Sequence, residues 1–411
     1  MISRSQLIAV FIARVFLFLP FMVVAGCIPL LIEDWKIGAV RVGTIVSGFF
    51  VAYAISLTFF SYLGGLIGAK KAAQISAMST AIISTAFGVF SRDFTSTLAL
   101  YSLIGLSQGG VYTPLIALFR DNVPPQNLGS AIGWLISSTS IGYAASISLT
   151  GIAIGIDSWR LAFLVTGSLT TIGAVILLIS INGLDNVIHV KSKDYGIFRE
   201  ALKSRTTKIL LAGYCAHNWE LIGMWSWGPA LIAASFLLSG INTAEAAQWS
   251  AQFVMVLHLG GAIAASTMGT LSDRIGRRKI LIFTAVIGAI FSFTIGWSVT
   301  LPATIVAGLM IIYAFFALGD SPVLSTALAE VAEPASLGDL LALRSLLGFI
   351  VAAIAPIAVG WVIDILSASN CSPTIVWGAA FATLGLGGIL AVCFAMKLPK
   401  ENQQIQPTAK G

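Results

Sequence analysis

Gly269-Thr270-Leu271-Ser272-Asp273-Arg274-Ile275-Gly276-Arg277-Arg278-Lys279 is a charged island in a chain that is otherwise poor in charge. Asp273, Arg274, Arg277, Arg278 and Lys279 crowd into it, whereas charged residues make up only 10% of the 411 residues. Long apolar runs flank it at 248–271 and 279–299. Charge at this density stays in water, so the island reads as a wet loop joining two apolar segments. The rest of the chain repeats that alternation. Apolar residues are 57% of the sequence, and the mean hydropathy is +0.94. A soluble domain carries about 25% charged residues to cover its surface, so the medium around this chain is largely lipid.

At roughly 20 apolar residues per crossing, the length leaves room for about a dozen crossings. Runs broken by Gly, Pro or charge give twelve spans, near 7–31, 42–67, 72–90, 97–119, 128–154, 160–181, 209–238, 248–271, 279–299, 302–329, 337–364 and 374–396. Backbone groups in hydrocarbon must pair within their own segment, which makes such runs helices. The alternating ten-residue pattern of a membrane barrel is missing. Val24-Ala25-Gly26-Cys27 looks like the small-residue end of a lipoprotein signal. The apolar run continues through Ile28-Pro29-Leu30-Leu31, however, beyond the roughly 7–15 residues of a signal core.

Basic residues orient the spans. With both ends cytoplasmic, 17 of the 23 Lys and Arg fall in inside loops, four fall outside (Lys36, Arg41, Arg92, Arg160), and Arg14 and Arg344 lie within spans. That asymmetry predicts N-in, C-in and an inner-membrane, multi-pass protein. It also accounts for the net charge of +6 without nucleic acid. Cys27, Cys215, Cys371 and Cys393 are scattered, with no metal or disulfide spacing. The expected organisation is a six-helix bundle over 1–181, a cytoplasmic linker over 182–208 with a short surface helix around Tyr195–Leu202, a second six-helix bundle over 209–396, and a cytoplasmic tail over 397–411.

The two halves echo each other. Pro125-Gln126-Asn127-Leu128-Gly129 recurs as Pro334-Ala335-Ser336-Leu337-Gly338 at an offset of 209, and Pro114 recurs as Pro322 at 208. Gly68-Ala69-Lys70-Lys71 recurs as Gly276-Arg277-Arg278-Lys279, also at 208. Parallel six-helix repeats are a transporter architecture, with the site between the halves near mid-membrane.

The opening stretch, Gly-x-Leu-x-Asp-Arg-x-Gly-Arg-Arg, resembles the loop signature of the major facilitator superfamily. With the span count and the midpoint linker, the resemblance extends over the whole chain. It implies an all-α fold of twelve helices in two pseudo-symmetric bundles. It also implies that Asp273, Arg274, Arg277 and Arg278 brace helix ends on the cytoplasmic side when the carrier faces outward. The first-half copy, Ser61-Tyr62-Leu63-Gly64-Gly65-Leu66-Ile67-Gly68-Ala69-Lys70, has Gly65 and Leu66 where the family has Asp and Arg. Tyr101 replaces the family's span-four Arg. The Gly-Pro motif of drug/proton exchangers is absent from span five, which instead has Gly133, Gly142 and Gly151, suited to close helix packing.

Ionisable side chains within a span cost about 2.5–3.5 kcal/mol on insertion scales, so each calls for a purpose. His217 and Glu220 are three apart on one helical face, which makes both, with Asp320, candidates for proton coupling. Asp320 and Arg344 lie at neighbouring depths and read as an ion pair or a gate. Arg14 could snorkel to the interface or bind the anionic part of a substrate. Tyr53, Gln108, Tyr112, Asn218 and Trp225 are the candidate polar and aromatic lining of a substrate cavity. A His-x-x-Glu metal site would need ligands beyond His258 and Asp320, and no Walker loop is present. The expectation is therefore a monomeric secondary transporter without cofactor or catalytic activity, whose partners are the bilayer, protons and a small, anionic organic solute. The alternatives are efflux of hydrophobic compounds and a transport-like membrane sensor.

Overall fold

The computed structural model describes residues 2–188, 204–332 and 337–399. The expected surface helix around Tyr195–Leu202, the repeat element at Pro334 and most of the tail lie outside them.

Twelve helical spans follow in order. Span one is two pieces, Arg4–Leu17 and Val23–Trp35. Span two is Ala39–Ile67 and span three Ala69–Phe90. Span four runs through Phe94–Gln108, a tight turn at Gly109–Val111 and Thr113–Asn122. Span five is Pro125–Ile156 and span six Trp159–Ile181. The second half has span seven at Arg205–Leu238, eight at Thr243–Ile275, nine at Arg277–Thr294 with a further turn to Ser298, and ten at Ala303–Val331. Span eleven is Leu337–Ala352 with Ile354–Ala368, and span twelve is Pro373–Met396. Among the described residues, 11 helices are long and apolar enough to cross a membrane; span one is divided around Pro20 into pieces too short to do so singly.

Helix ends follow local chemistry. Ser3 and Gln6 close a capping box at the first helix, and Asp93 accepts from the Ser96 N–H at 2.9 Å to start span four. That bond, with a second from the Ser96 hydroxyl, holds the Asp93 carboxyl below its ordinary range. Gly68 and Gly276 have φ of 92° and 109°, a region that a side chain strains to reach. Each ends one span and starts the next without a loop, so spans two and three, and spans eight and nine, are joined by hard reversals.

The break in span one exposes carbonyls that lipid cannot satisfy. Neighbouring spans supply the donors. Gln108 Nε2 donates to Leu17 O at 2.6 Å, Ser146 Oγ to Leu19 O, and Tyr101 hydroxyl to Phe21 O at 2.6 Å. Met22 N in turn donates to Ser146 Oγ at 3.0 Å.

Within each half, span two packs on four and three on six, and in the second half eight packs on ten and nine on twelve. Between halves, span five packs on eight and span two on eleven. Among the described residues, the hydrogen bonds that close the seam lie at the end away from the termini. There Ser148 and Gln252 exchange two 3.0 Å hydrogen bonds. Asp364 of span eleven accepts from Ala39 N at 2.7 Å and Val40 N at 2.9 Å, capping span two across the seam. A Cβ at Gly151 would lie 2.7 Å from Gln252 Nε2, whereas nothing lies within 4 Å of one at Gly129, Gly133, Gly260 or Gly269 nearer the terminal end. The regular spacing of Gly133, Gly142 and Gly151 thus serves close packing at Gly142, against Phe18, and at Gly151, but not at Gly133. The halves meet at the far end and splay towards the end that carries both termini.

Candidate functional site

Where the seam closes, aromatic rings fill mid-depth. Phe21 stacks on Tyr143 with centroids 4.1 Å apart, and Tyr53 of span two meets Phe349 of span eleven at 5.4 Å. Tyr143 of span five also faces Trp225 of span seven at 5.4 Å and His258 of span eight at 5.9 Å. The Trp225 indole N–H and His258 Nε2 are buried and make no hydrogen bond among the described residues.

Arg14 is 0% exposed, just before the break of span one. It donates from Nε to Val111 O at 2.9 Å, where span four loosens, and through its terminal nitrogens to Ser138 Oγ at 2.7 Å and Thr139 Oγ1 at 2.9 Å. Phe18 and Tyr112 present their rings to its guanidinium at 5.2 and 5.6 Å. It does not snorkel, and no carboxylate pairs with it among the described residues. An enclosed cation without a counter-ion attracts an anion, because the surrounding medium screens it weakly.

The expected cavity residues separate into two groups. Tyr53 and Trp225 border the aromatic seam, and Tyr112 faces Arg14. Gln108 is fully buried and its amide serves the Leu17 carbonyl, so it supports the broken helix. Asn218 is 2% exposed, and its Nδ2 makes no hydrogen bond.

The acidic residues are partnered differently from the expected pairs. Asp320 Oδ1 approaches His217 Nδ1 to 2.8 Å, a charge contact without the angles of a hydrogen bond. Arg344 instead hydrogen-bonds Ser325 Oγ and lies 4.2 Å from the centroid of the Tyr214 ring. The expected Asp320–Arg344 pair is therefore not formed. His217, one helical face away on span seven, reaches the carboxylate first. Glu220 does not bond His217 either. It turns into the second bundle, where Ser292 Oγ donates to its Oε1 at 2.7 Å and the Tyr313 hydroxyl lies 2.5 Å from the same Ser292 oxygen. The absence of a side chain at Gly288 leaves space for it: a Cβ there would sit 2.9 Å from Glu220 Oε1. Asp320 also lines a small cleft between spans seven, nine, ten and twelve, with Leu210, Gly213, Leu324 and Phe394 among its walls.

At the terminal end, Arg277 pairs with Asp273 at 2.5 Å and Glu330 at 2.9 Å, tying spans eight, nine and ten. Arg278 donates to Met396 O at 3.0 Å, at the end of span twelve. Arg274 is exposed and has no partner among the described residues. In the first half, Lys70 at the position equivalent to Arg278 donates to Leu184 O at 2.9 Å and to Asn182 O, just past the end of span six. No group of three potential metal-ligating side chains occurs among the described residues. Tyr143, Tyr214 and Asp364 carry no pattern in the sequence that marks them, since single tyrosines and a lone terminal carboxylate are common in membrane helices.

Residues 10–268 and 221–411 match the family model described as Major Facilitator Superfamily. A hexuronate transporter of Bacillus subtilis (strain 168) is 23% identical over 256 residues, covering 56% of this chain and 58% of that protein. The multidrug resistance protein MdtG of Salmonella paratyphi C (strain RKS4594) is 26% identical over 249 residues, covering 60% of each. The chain thus spans about three-fifths of the length of these relatives. A bacterial homolog of the human lysosomal transporter Spinster, solved in an inward-facing and unoccupied conformation, superposes with a TM-score of 0.78 at 15% identity, covering 96% of this chain and 97% of that one.

Proposed function

The chain belongs to the Major Facilitator Superfamily, and from that premise we propose that it is a proton-coupled secondary transporter that moves a small organic anion across the inner membrane by alternating access. The observation that carries the reading is Arg14, a guanidinium fully enclosed within span one with no carboxylate beside it among the described residues. Ion-pair partners are the rule for charges in such places, and a carrier gains by leaving that role to its cargo. The kinship with a hexuronate transporter agrees with an acid as cargo.

With the termini cytoplasmic, a reading the 17-to-4 distribution of basic residues supports, the splayed end faces the cytoplasm. The conformation is then inward-open, with the outer seam shut by Asp364, by the Ser148–Gln252 pair and by the aromatic layer. Proton coupling resides in the His217–Asp320 pair and in Glu220. All three are on the second bundle, within reach of one another through span seven, and apart from Arg14. Protonating a carboxylate there removes a buried charge and so biases which packing of the spans is favoured.

The test is uptake into proteoliposomes. Acid-side organic anions should accumulate against their gradient when a pH gradient is imposed, and Arg14→Gln should abolish accumulation. Transport of hydrophobic compounds without an acid group by the wild type, unaffected by Arg14→Gln, would instead establish the efflux reading that the kinship with MdtG supports.

A further inference from the structure

Arg14 has already committed three of its N–H groups to protein oxygens. Across the seam the position is different. Arg344 gives one N–H to Ser325, and its Nε is buried with no acceptor among the described residues. Asn218 is 2% exposed, and its Nδ2 likewise has none. Both lie against one ring, that of Tyr214. Arg344 sits 4.2 Å over the ring centroid. A Cβ at Gly348 would fall 2.4 Å from Asn218 Nδ2 and 2.5 Å from Tyr214 Cε1. Tyr214 and Asn218 are four apart on span seven, and Arg344 and Gly348 are four apart on span eleven, so two helical faces meet here in register. The sequence supplies the donors and, at Gly348, the one residue type that lets them approach.

Buried donors are nearly always satisfied. Two unsatisfied donors beside a flat cationic group and a ring make an acceptor site shaped for a planar anion. We infer that this face of the second half, built from Arg344, Asn218, Tyr214 and Gly348, holds the carboxylate of the transported acid. The inference rests on the reading of the chain as an organic-anion carrier and names the group that grips the cargo. A carboxylate suits the site better than a phosphate. Its two oxygens are coplanar and match one Arg N–H and one amide N–H. Arg14 then supplies the field that draws the anion in, and Arg344 with Asn218 supplies the directional bonds.

The purified full-length protein, titrated calorimetrically with benzoate, glucuronate and lactate, with benzamide and with inorganic phosphate, tests this. At least one carboxylate should bind while benzamide and phosphate do not; benzoate against glucuronate reports whether the rest of the cargo is an aromatic or a sugar ring. Arg344→Gln and Asn218→Ala should each weaken that acid at least ten-fold, Gly348→Ala should weaken it too, and Arg344→Lys should recover part of the loss. Elution as a monodisperse species and an unchanged melting temperature identify variants that remain folded. Wild-type affinity in folded Arg344→Gln, with binding lost in Arg14→Gln, overturns this subsite and leaves the anion carrier standing. Binding of benzamide as tightly as benzoate, or of no carboxylate, overturns both. Phosphate binding that depends on Arg344 overturns the assignment of carboxylate.

Discussion

Asp364 offers the sharpest test of how the seam is held. Its carboxylate accepts from Ala39 N and Val40 N at 2.7 and 2.9 Å, so it caps span two from the other half. A hydrogen bond to a charged group contributes about 1.5–3 kcal/mol, and a carboxylate at a helix N-terminus adds about 0.3–1 kcal/mol. Asp364 is part-exposed, and solvent screening reduces these figures, leaving about 2 kcal/mol for the pair of bonds. Removing them in Asp364→Ala should shift the balance between closed and open outer seam by about thirty-fold, since about 1.4 kcal/mol is a factor of ten. Asp364→Asn keeps one acceptor and should shift it by roughly five-fold. Gly38→Ala should mimic the loss, because its Cβ would lie 2.5 Å from Asp364 Oδ2. Spin labels at Arg92→Cys and Ser369→Cys, in a background without the four native cysteines, report the distance between the far ends by pulsed double resonance. A distance distribution in Asp364→Ala that matches the parent would refute the argument that this cap holds the outer side shut.

Two further outcomes follow from other parts of the molecule. Glu220→Gln should abolish accumulation driven by a pH gradient while leaving substrate binding within two-fold or so; proteoliposomes that still concentrate substrate would remove Glu220 from coupling. Gln108→Ala orphans the Leu17 carbonyl, which costs about 1–3 kcal/mol, so it should lower the melting temperature but leave affinity intact; a variant that melts like the parent but binds poorly would return Gln108 to the substrate's surroundings.

Most of the fold was legible because lipid imposes a coarse rule. A run of apolar residues must be a helix, and a charged island such as Asp273–Lys279 must lie between helices. The observed span ends fall close to the expected ones for that reason. Span one was the exception: it read as one run over 7–31, yet it divides at Pro20, where the ring removes a donor and clashes with the preceding turn. The sequence identified which ionisable residues lie within spans, but not their partners. Depth along a helix follows from counting, and it placed Asp320 near Arg344. Rotation about the helix axis does not follow from counting, and rotation is what gives Asp320 to His217 and turns Glu220 towards Ser292. Gln108 looked like a cavity residue for the same reason; its amide, with the Tyr101 hydroxyl, satisfies a broken backbone that no residue pattern announces. Tyr143 and Tyr214 matter through what they touch across the seam, which only packing decides.

Lys70 and Arg278 stand at equivalent places in the two halves, and each reaches the carbonyls at the end of its own sixth helix. Each half thus has a long cationic arm fastened within it. Neither fastening crosses the seam, so under the proposed alternating access the work of switching sides would fall on the boundary between the halves. A fastening of this kind needs only a positive charge and reach. The first half has Gly65 and Leu66 where the signature has Asp and Arg, and it still carries that charge in Lys70.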